Sequence, residues 1–287
     1  MHNLDQAAGI RKLSQMKPVR VLAVASGKGG VGKTNVSVNL GISLADLGRS
    51  VALLDADMGL ANIDVLLGLH PQYNLSHVLR GEKALKEIMV EGPAGLRIVP
   101  GSSGIQQMSE LSAMEQAAVI RAFGELDQDL DVLIVDTAAG ITSGVINFAR
   151  ACQEVIVVIC DEPTSLTDAY ALIKVLSRDY GIHRFQILAN MVQNAQQGQL
   201  LYTKLSRVTD RYLDVALSYF GAVPYDDSLR KSVVKQCAVV EAFPRSVSAQ
   251  AFKALAKRAD ALPIADERAG HLEFFVERMI QYSTQGV

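Results

Sequence analysis

Eight consecutive residues carry the strongest chemical signal in the chain. Gly27-Lys28-Gly29-Gly30-Val31-Gly32-Lys33-Thr34 fits the spacing G-x-x-x-x-G-K-[ST] of a phosphate-binding loop. Its glycines let the backbone turn so that N–H groups face phosphates, and the start of a following helix adds a favourable dipole. Gly27 to Gly32 would form the cradle, Lys33 would reach the β- and γ-phosphates, and the Thr34 hydroxyl would ligate Mg²⁺. The chemistry this implies is phosphoryl transfer from a nucleoside triphosphate. Lys28 is not required by the spacing. It is either a solvated lysine or a cation that reaches the phosphates of a facing subunit, as an arginine finger does in trans.

Carboxylates follow at the right places. The run Leu53-Leu54-Asp55-Ala56-Asp57 puts Asp55 and Asp57 on one side of an extended chain, at its C-terminal end. Ligands bind at that end in open α/β sheets. Two carboxylates beside a Mg-nucleotide can orient a water and hold the ion's hydration shell. Leu133-Ile134-Val135-Asp136 is an apolar run closed by an aspartate, a pattern in which Asp136 holds Mg²⁺ directly or through water. Gly140 then gives a loop the backbone freedom to sense the γ-phosphate.

These residues need a frame, and the sequence predicts one. Short β-branched runs at Val19–Ser26, Val51–Asp55, Leu96–Pro100, Val132–Asp136, Val155–Cys160, Phe185–Asn190 and Leu217–Val223 read as strands. Helical patterns at Thr34–Leu47, Ser109–Leu126, Ser165–Tyr180 and Gln199–Leu213 lie among them. Alternation of this kind implies an α/β fold, a doubly wound and mostly parallel sheet with helices on both faces. The 287 residues divide into a lead over 1–17, one body over 18–262, and a linker with a C-terminal helix over 263–287. Hydrophobic residues at 49% and charged residues at 20% exclude a disordered chain. A net charge of −2 lacks the footprint of a dedicated nucleic-acid binder. Cys152, Cys160 and Cys237 are odd in number and far apart, which speaks against a disulfide framework or a Cys-x-x-Cys metal site. No apolar run is long enough to span a membrane, so a cytoplasmic protein is expected.

The segment Lys28-Gly29-Gly30-Val31-Gly32-Lys33-Thr34 resembles the deviant Walker A box of the MinD/ParA ATPases, and the resemblance runs from about Val19 to Ala261. It implies a slow Mg-dependent ATPase with ATP and Mg²⁺ as ligands, and an ATP-bound homodimer in which Lys28 crosses to the partner's phosphates. It assigns Asp57 to the attacking water and Asp55 to the Mg²⁺ environment. It places Asn190 on the adenine and Pro224, Tyr225 and Asp226 around the base. No Asn-Lys-x-Asp guanine motif occurs, which favours ATP over GTP.

The two ends resemble one branch of that family, the flagellar-number regulators. Asp5-Gln6-Ala7-Ala8-Gly9-Ile10-Arg11 is similar to the branch's short activating helix, with Ile10 where leucine is usual. The resemblance implies that Asp5, Gln6, Ala7, Ile10 and Arg11 stimulate a partner GTPase, FlhF. It also implies restraint of a flagellar transcription activator of the FleQ/FlrA kind, contact with a flagellar C-ring protein, and peripheral contact with the membrane or cell pole. In His271–Tyr282, Leu272, Phe275, Val276, Met279 and Ile280 fall on one helix face. That face can pack on its own domain, lie on a membrane, or dock on a partner. Glu273 and Glu277 outweigh Arg278, unlike the basic polar face of membrane-surface helices. A helix gated by nucleotide and released to lipid or partner is the preferred reading. The alternatives for the whole chain are a switch for division-site placement or DNA segregation; a metabolic or cluster-transfer enzyme on the same scaffold, such as a nitrogenase iron-protein relative, which would need cysteines bridging two subunits; and a structural nucleotide-bound module without turnover.

Overall fold

The apolar runs assemble into one sheet in the computed structural model, which describes residues 18–57, 62–101, 120, 122–124, 130–263 and 272–284. Its strands are β1 (Arg20–Ser26), β2 (Val51–Ala56), β3 (Val90–Glu91), β4 (Arg97–Val99), β5 (Val132–Ala139), β6 (Glu154–Ile159), β7 (Arg184–Val192) and β8 (Ala216–Pro224). They lie in the order β3-β4-β2-β5-β1-β6-β7-β8. Every pair is parallel except β3 with β4. Residues of β1, β2 and β6 are buried along their whole length. A central parallel strand is covered on both faces, which is why these runs are continuously apolar rather than alternating.

The helices are α1 (Lys33–Ala45), α2 (Ile63–Leu67), α3 (Leu75–Leu79), α4 (Leu85–Ile88), α5 (Ser143–Ala151), α6 (Pro163–Arg178), α7 (Ala195–Tyr212), α8 (Asp227–Val234), α9 (Val239–Ala242), α10 (Val247–Ala261) and α11 (Leu272–Thr284). On one face α1 and α10 bury Leu40, Leu44, Phe252 and Ala256 against Leu22 and Val24. On the other, α5, α6 and α7 bury Phe148, Leu172, Leu176 and Leu205 against Ala23, Val155 and Ile187. The connection leaves β1 toward β2 on one side, whereas β6 lies on the other side of β1. This reversal opens a crevice at the C-terminal end of β1, where a ligand is expected.

Strand ends differ from the sequence expectation by one to three residues, most at β5, which runs on to Ala139. The antiparallel β3 and the short helices α2, α3 and α4 are too brief for a periodic signal. The expected helix over Ser109–Leu126 lies mostly outside the described residues; 120 and 122–124 are helical. Helix α6 begins at Pro163, two residues before its expected start, because proline suits the first helical turn.

Helix α11 lies docked on its own domain, one of the three arrangements its apolar face allows and the one a gated helix holds before release. Phe275, Val276, Met279 and Ile280 are buried in the core. The Phe275 ring stacks on Phe148 of α5 at 6.5 Å, and the Arg150 guanidinium lies 3.6 Å from the centre of the Tyr282 ring and 4.5 Å from that of Tyr180. Burial of an apolar stripe on the same protein removes it from water as a partner would. The side chain of Leu272 falls outside the described residues.

Candidate functional site at the phosphate loop

The loop between β1 and α1 follows the path its glycines permit. Gly30 and Gly32 have φ of 79° and 86°, a region that favours glycine. Close approach adds a second demand. A Cβ on Gly27 would meet the backbone of Asp168 at 2.2 Å, and one on Gly32 would meet Asn190 Nδ2 at 2.5 Å. The loop is thus pressed between the first turns of α6 and the end of β7.

Lys33 opens α1 and is 9% exposed. Its ammonium donates to Ser26 Oγ at 3.0 Å, and that hydroxyl donates to the Lys28 carbonyl at 2.7 Å. Burial lowers the Lys33 pKa, while the Asp136 and Asp57 carboxylates pull it back up. A buried cation beside a cradle of backbone N–H groups suits a polyanion.

Asp55 and Asp136 are register partners on β2 and β5, so both carboxylates sit side by side at the same edge. Asp136 is fully enclosed, and Ser37 Oγ donates to it at 2.7 Å. The Thr34 hydroxyl also hydrogen-bonds it. Asp55 accepts backbone N–H groups from Asp57 at 3.1 Å and Asn62 at 3.2 Å. Burial pushes Asp55 up to about 7, and the neighbouring Asp136 charge adds to it. Burial likewise pushes Asp136 up to about 6 against the bonds from Ser37 and Thr34. Two crowded carboxylates beside a hydroxyl form a hard oxygen donor set, which fits Mg²⁺. Among the described residues no cluster of three carboxylate, imidazole or thiol side chains could hold a metal alone. Mg²⁺ takes one or two carboxylates and completes its shell with water and substrate phosphate.

Asp57 follows β2 directly, half-buried and close enough to act on the Lys33 charge. Residues 58–61 beyond it lie outside the described residues.

Two residues expected at the base are engaged elsewhere in this geometry. Asn190 is 4% exposed, and its side-chain amide donates to the Val31 carbonyl of the loop at 2.8 Å. Asp226 caps α8 through Ser228 N at 2.8 Å and accepts Ser248 N at 3.0 Å and Ser248 Oγ at 2.7 Å. Burial pushes its carboxyl up, but the bonds from Ser248 and Ser228 outweigh this and hold it below the ordinary carboxylate range. Asn190 therefore braces the loop, and Asp226 ties the end of β8 to α10. Pro224 ends β8, and the Tyr225 ring is 60% exposed beside it.

Lys28 stands at the mouth of the loop. Its ammonium pairs with Glu162 and donates to Thr164 Oγ1 at 3.0 Å. The Glu162 hydrogen bond raises the Lys28 pKa. Ser26 and Ser37 were not singled out from the sequence, and Glu162 only within Cys160-Asp161-Glu162-Pro163-Thr164-Ser165, a segment that also resembles the flagellar-number regulators. Ser37 lies one helical turn after Thr34 and could have been found by that spacing. The pairing of Glu162 with Lys28 has no such local signal. The described residues do not include Asp5, Gln6, Ala7, Ile10 or Arg11. Cys152 and Cys160 are buried within the fold, and burial pushes the Cys152 thiol up. Enclosed thiols of this kind do not fit a cluster shared between subunits.

A ParA family model, described as the NUBPL iron-transfer P-loop NTPase, matches residues 17–259. The chain is 57% identical over 277 residues to the antiactivator FleN of Pseudomonas aeruginosa, across 96% of this chain and 99% of that protein. It is 34% identical over 271 residues to the flagellum site-determining protein YlxH of Helicobacter pylori, across 92% and 90% of the two chains. Its fold matches the septum site-determining protein MinD complexed with Mg-ADP from Pyrococcus horikoshii with a TM-score of 0.66. That match has 25% identity and covers 85% of this chain and 96% of that one. Among the described residues, no helix is long and apolar enough to cross a membrane.

Proposed function

Because this chain belongs to the ParA/MinD family of P-loop NTPases, we propose that it is an ATP-driven dimerisation switch that limits flagellar number. The observation that carries this reading is the contrast within one loop: Lys33 is buried and feels the Asp136 and Asp57 carboxylates, while Lys28 stands half-exposed at the rim. The first arrangement serves the protein's own nucleotide. The second serves a facing subunit. A 57% identity across nearly the whole of an antiactivator, with a 34% identity to a flagellum site-determining protein, supports the flagellar output.

The loop N–H groups and Lys33 hold the β- and γ-phosphates, and Asn190 keeps the loop in shape for them. Thr34, Asp55 and Asp136 would hold Mg²⁺, which supplies charge neutralisation at the phosphates when bound. Asp57 orients a water in line with the γ-phosphorus. The water oxygen bonds to phosphorus as the bond to the ADP oxygen breaks, yielding ADP and phosphate without a covalent enzyme intermediate. Lys28 of each protomer stabilises charge across the interface, so turnover and dimerisation are linked. The switch loop that starts at Gly140 leads through the cap Thr142 into α5, and α11 packs on α5. Closure thereby reaches the C-terminal helix and bares it to a lipid surface or a partner.

The partners of this reading are a flagellar transcription activator of the FleQ/FlrA kind, the FlhF GTPase through residues 1–17, and a flagellar C-ring protein. The test is flagella per cell in a deletion strain complemented with wild type or Lys33→Gln. Excess flagella corrected by wild type alone is the expected result. Normal flagella with minicells or lost chromosomes would overturn it in favour of a division or segregation switch.

A further inference from the structure

We propose that Glu162 is a positioning residue that holds Lys28 within its own protomer and thereby sets how readily two nucleotide-loaded protomers close. The inference rests on the reading that Lys28 acts in trans, and it adds what Lys28 does before it crosses.

The geometry is that of a prepared contact. Glu162 is the residue just before α6, in extended conformation, and its side chain makes no capping bond to that helix. Its carboxylate is therefore not needed to start α6, and it pairs with Lys28 instead. The turn that carries it is braced on both sides. Glu162 N donates to the Cys160 carbonyl at 2.8 Å, and Cys160 N donates to Ser165 Oγ at 3.0 Å. The loop that carries Lys28 is fixed against the same helix, since Gly27 lies too close to the Asp168 backbone to bear a side chain. Thr164 adds a second acceptor for the ammonium. Both partners of the pair are nonetheless open to solvent, with side chains 34% and 53% exposed.

An exposed pair is weak, and a latch that must open on every cycle needs to be weak. A triphosphate presents several negative charges where Glu162 presents one, so the phosphates of a facing subunit outcompete the carboxylate once they are in reach. Until then the pair keeps Lys28 docked on α6. An exposed ion pair shifts an equilibrium by about two- to five-fold, and a symmetric dimer opens two of them, so losing the Glu162 charge tightens dimerisation about 4- to 25-fold.

The test uses the full chain with Mg²⁺ and a non-hydrolysable ATP analogue, and measures the dimer dissociation constant by sedimentation velocity. Wild type, Glu162→Gln, Lys28→Ala and the double variant are compared. Glu162→Gln is expected to dimerise at about 4- to 25-fold lower protein concentration, Lys28→Ala to stay monomeric, and the double variant to match Lys28→Ala. An unchanged or weakened dimer in Glu162→Gln overturns the proposal. A Lys28→Ala protein that dimerises like wild type overturns instead the trans reading on which it rests. A second readout needs no dimer: acylation of Lys28 by an N-hydroxysuccinimide ester in the nucleotide-free protein, quantified by mass spectrometry against exposed Lys235. Glu162→Gln is expected to raise Lys28 labelling severalfold; equal labelling in the two proteins means the pair does not hold Lys28 and refutes the latch.

Discussion

Two lysines of one loop sit in opposite surroundings. Lys33 is buried, bonded to a serine hydroxyl, and held between the pull of Asp136 and Asp57 and the cost of its own burial. Lys28 is exposed and tied to a carboxylate and a hydroxyl at the start of a neighbouring helix. The difference separates two kinds of work. A group that serves its own nucleotide gains from a fixed, desolvated position, because each electrostatic contact is stronger there. A group that serves another subunit must reach it through water, and can be held only by contacts it is able to leave.

Substitutions sharpen this division. Lys33→Gln should remove nucleotide binding altogether, read by calorimetric titration with Mg-ATP, whereas Lys28→Gln should still bind ATP, losing only the part of the affinity that dimerisation adds. Equal loss in both would erase the distinction. Asp57→Ala should leave binding and dimerisation intact and slow hydrolysis by about 10²- to 10⁴-fold, the usual range for a lost proton-handling or water-orienting group. A monomeric ATP-bound variant would remove Asp57 from that role. Phe275→Ala asks whether α11 belongs with the interior. If the stacked pair with Phe148 is core in the nucleotide-free state, the substitution should cost about 3–5 kcal/mol in urea unfolding; a change under 1 kcal/mol would place α11 outside the cooperative core.

The smallest effect concerns pH and the interior alone. Asp55 ionises near 4 when unfolded and near 7 when folded. Between those values the folded protein keeps a proton that the unfolded chain has released, so this group stabilises the fold at low pH and loses that contribution as pH rises through about 7. Asp136 acts in the same sense up to about 6. In the nucleotide-free protein, Asp55→Asn should therefore gain melting temperature relative to wild type between pH 5 and pH 8. A constant offset across that range would show that Asp55 does not carry the shift.

The interior was more legible in the sequence than the rim, for a physical reason. The P-loop is contiguous, and Asp55 and Asp136 each close an apolar strand, so short stretches of chain reveal them. Their side-by-side register is seen only in the structure. The rim is built by long-range contact. Glu162 lies 134 residues from Lys28, and Asn190 lies 159 from the carbonyl it braces. No local pattern encodes either. Asp226 shows the same limit: the resemblance placed it around the base, and its bonds to Ser248, 22 residues on, appear only once the chain is folded. In α11 the apolar period was readable, but periodicity cannot name the surface that covers it, and here that surface is α5.

The central claim is that Lys28 works across a nucleotide-bound dimer. The most direct test is the solution mass of wild type and Lys28→Ala by light scattering with Mg²⁺ and a non-hydrolysable ATP analogue, nucleotide occupancy being measured in the same samples. The account predicts that wild type shifts from the 30.9 kDa protomer to twice that mass, while Lys28→Ala binds nucleotide and keeps the protomer mass. A fully occupied Lys28→Ala protein that still doubles its mass would contradict it.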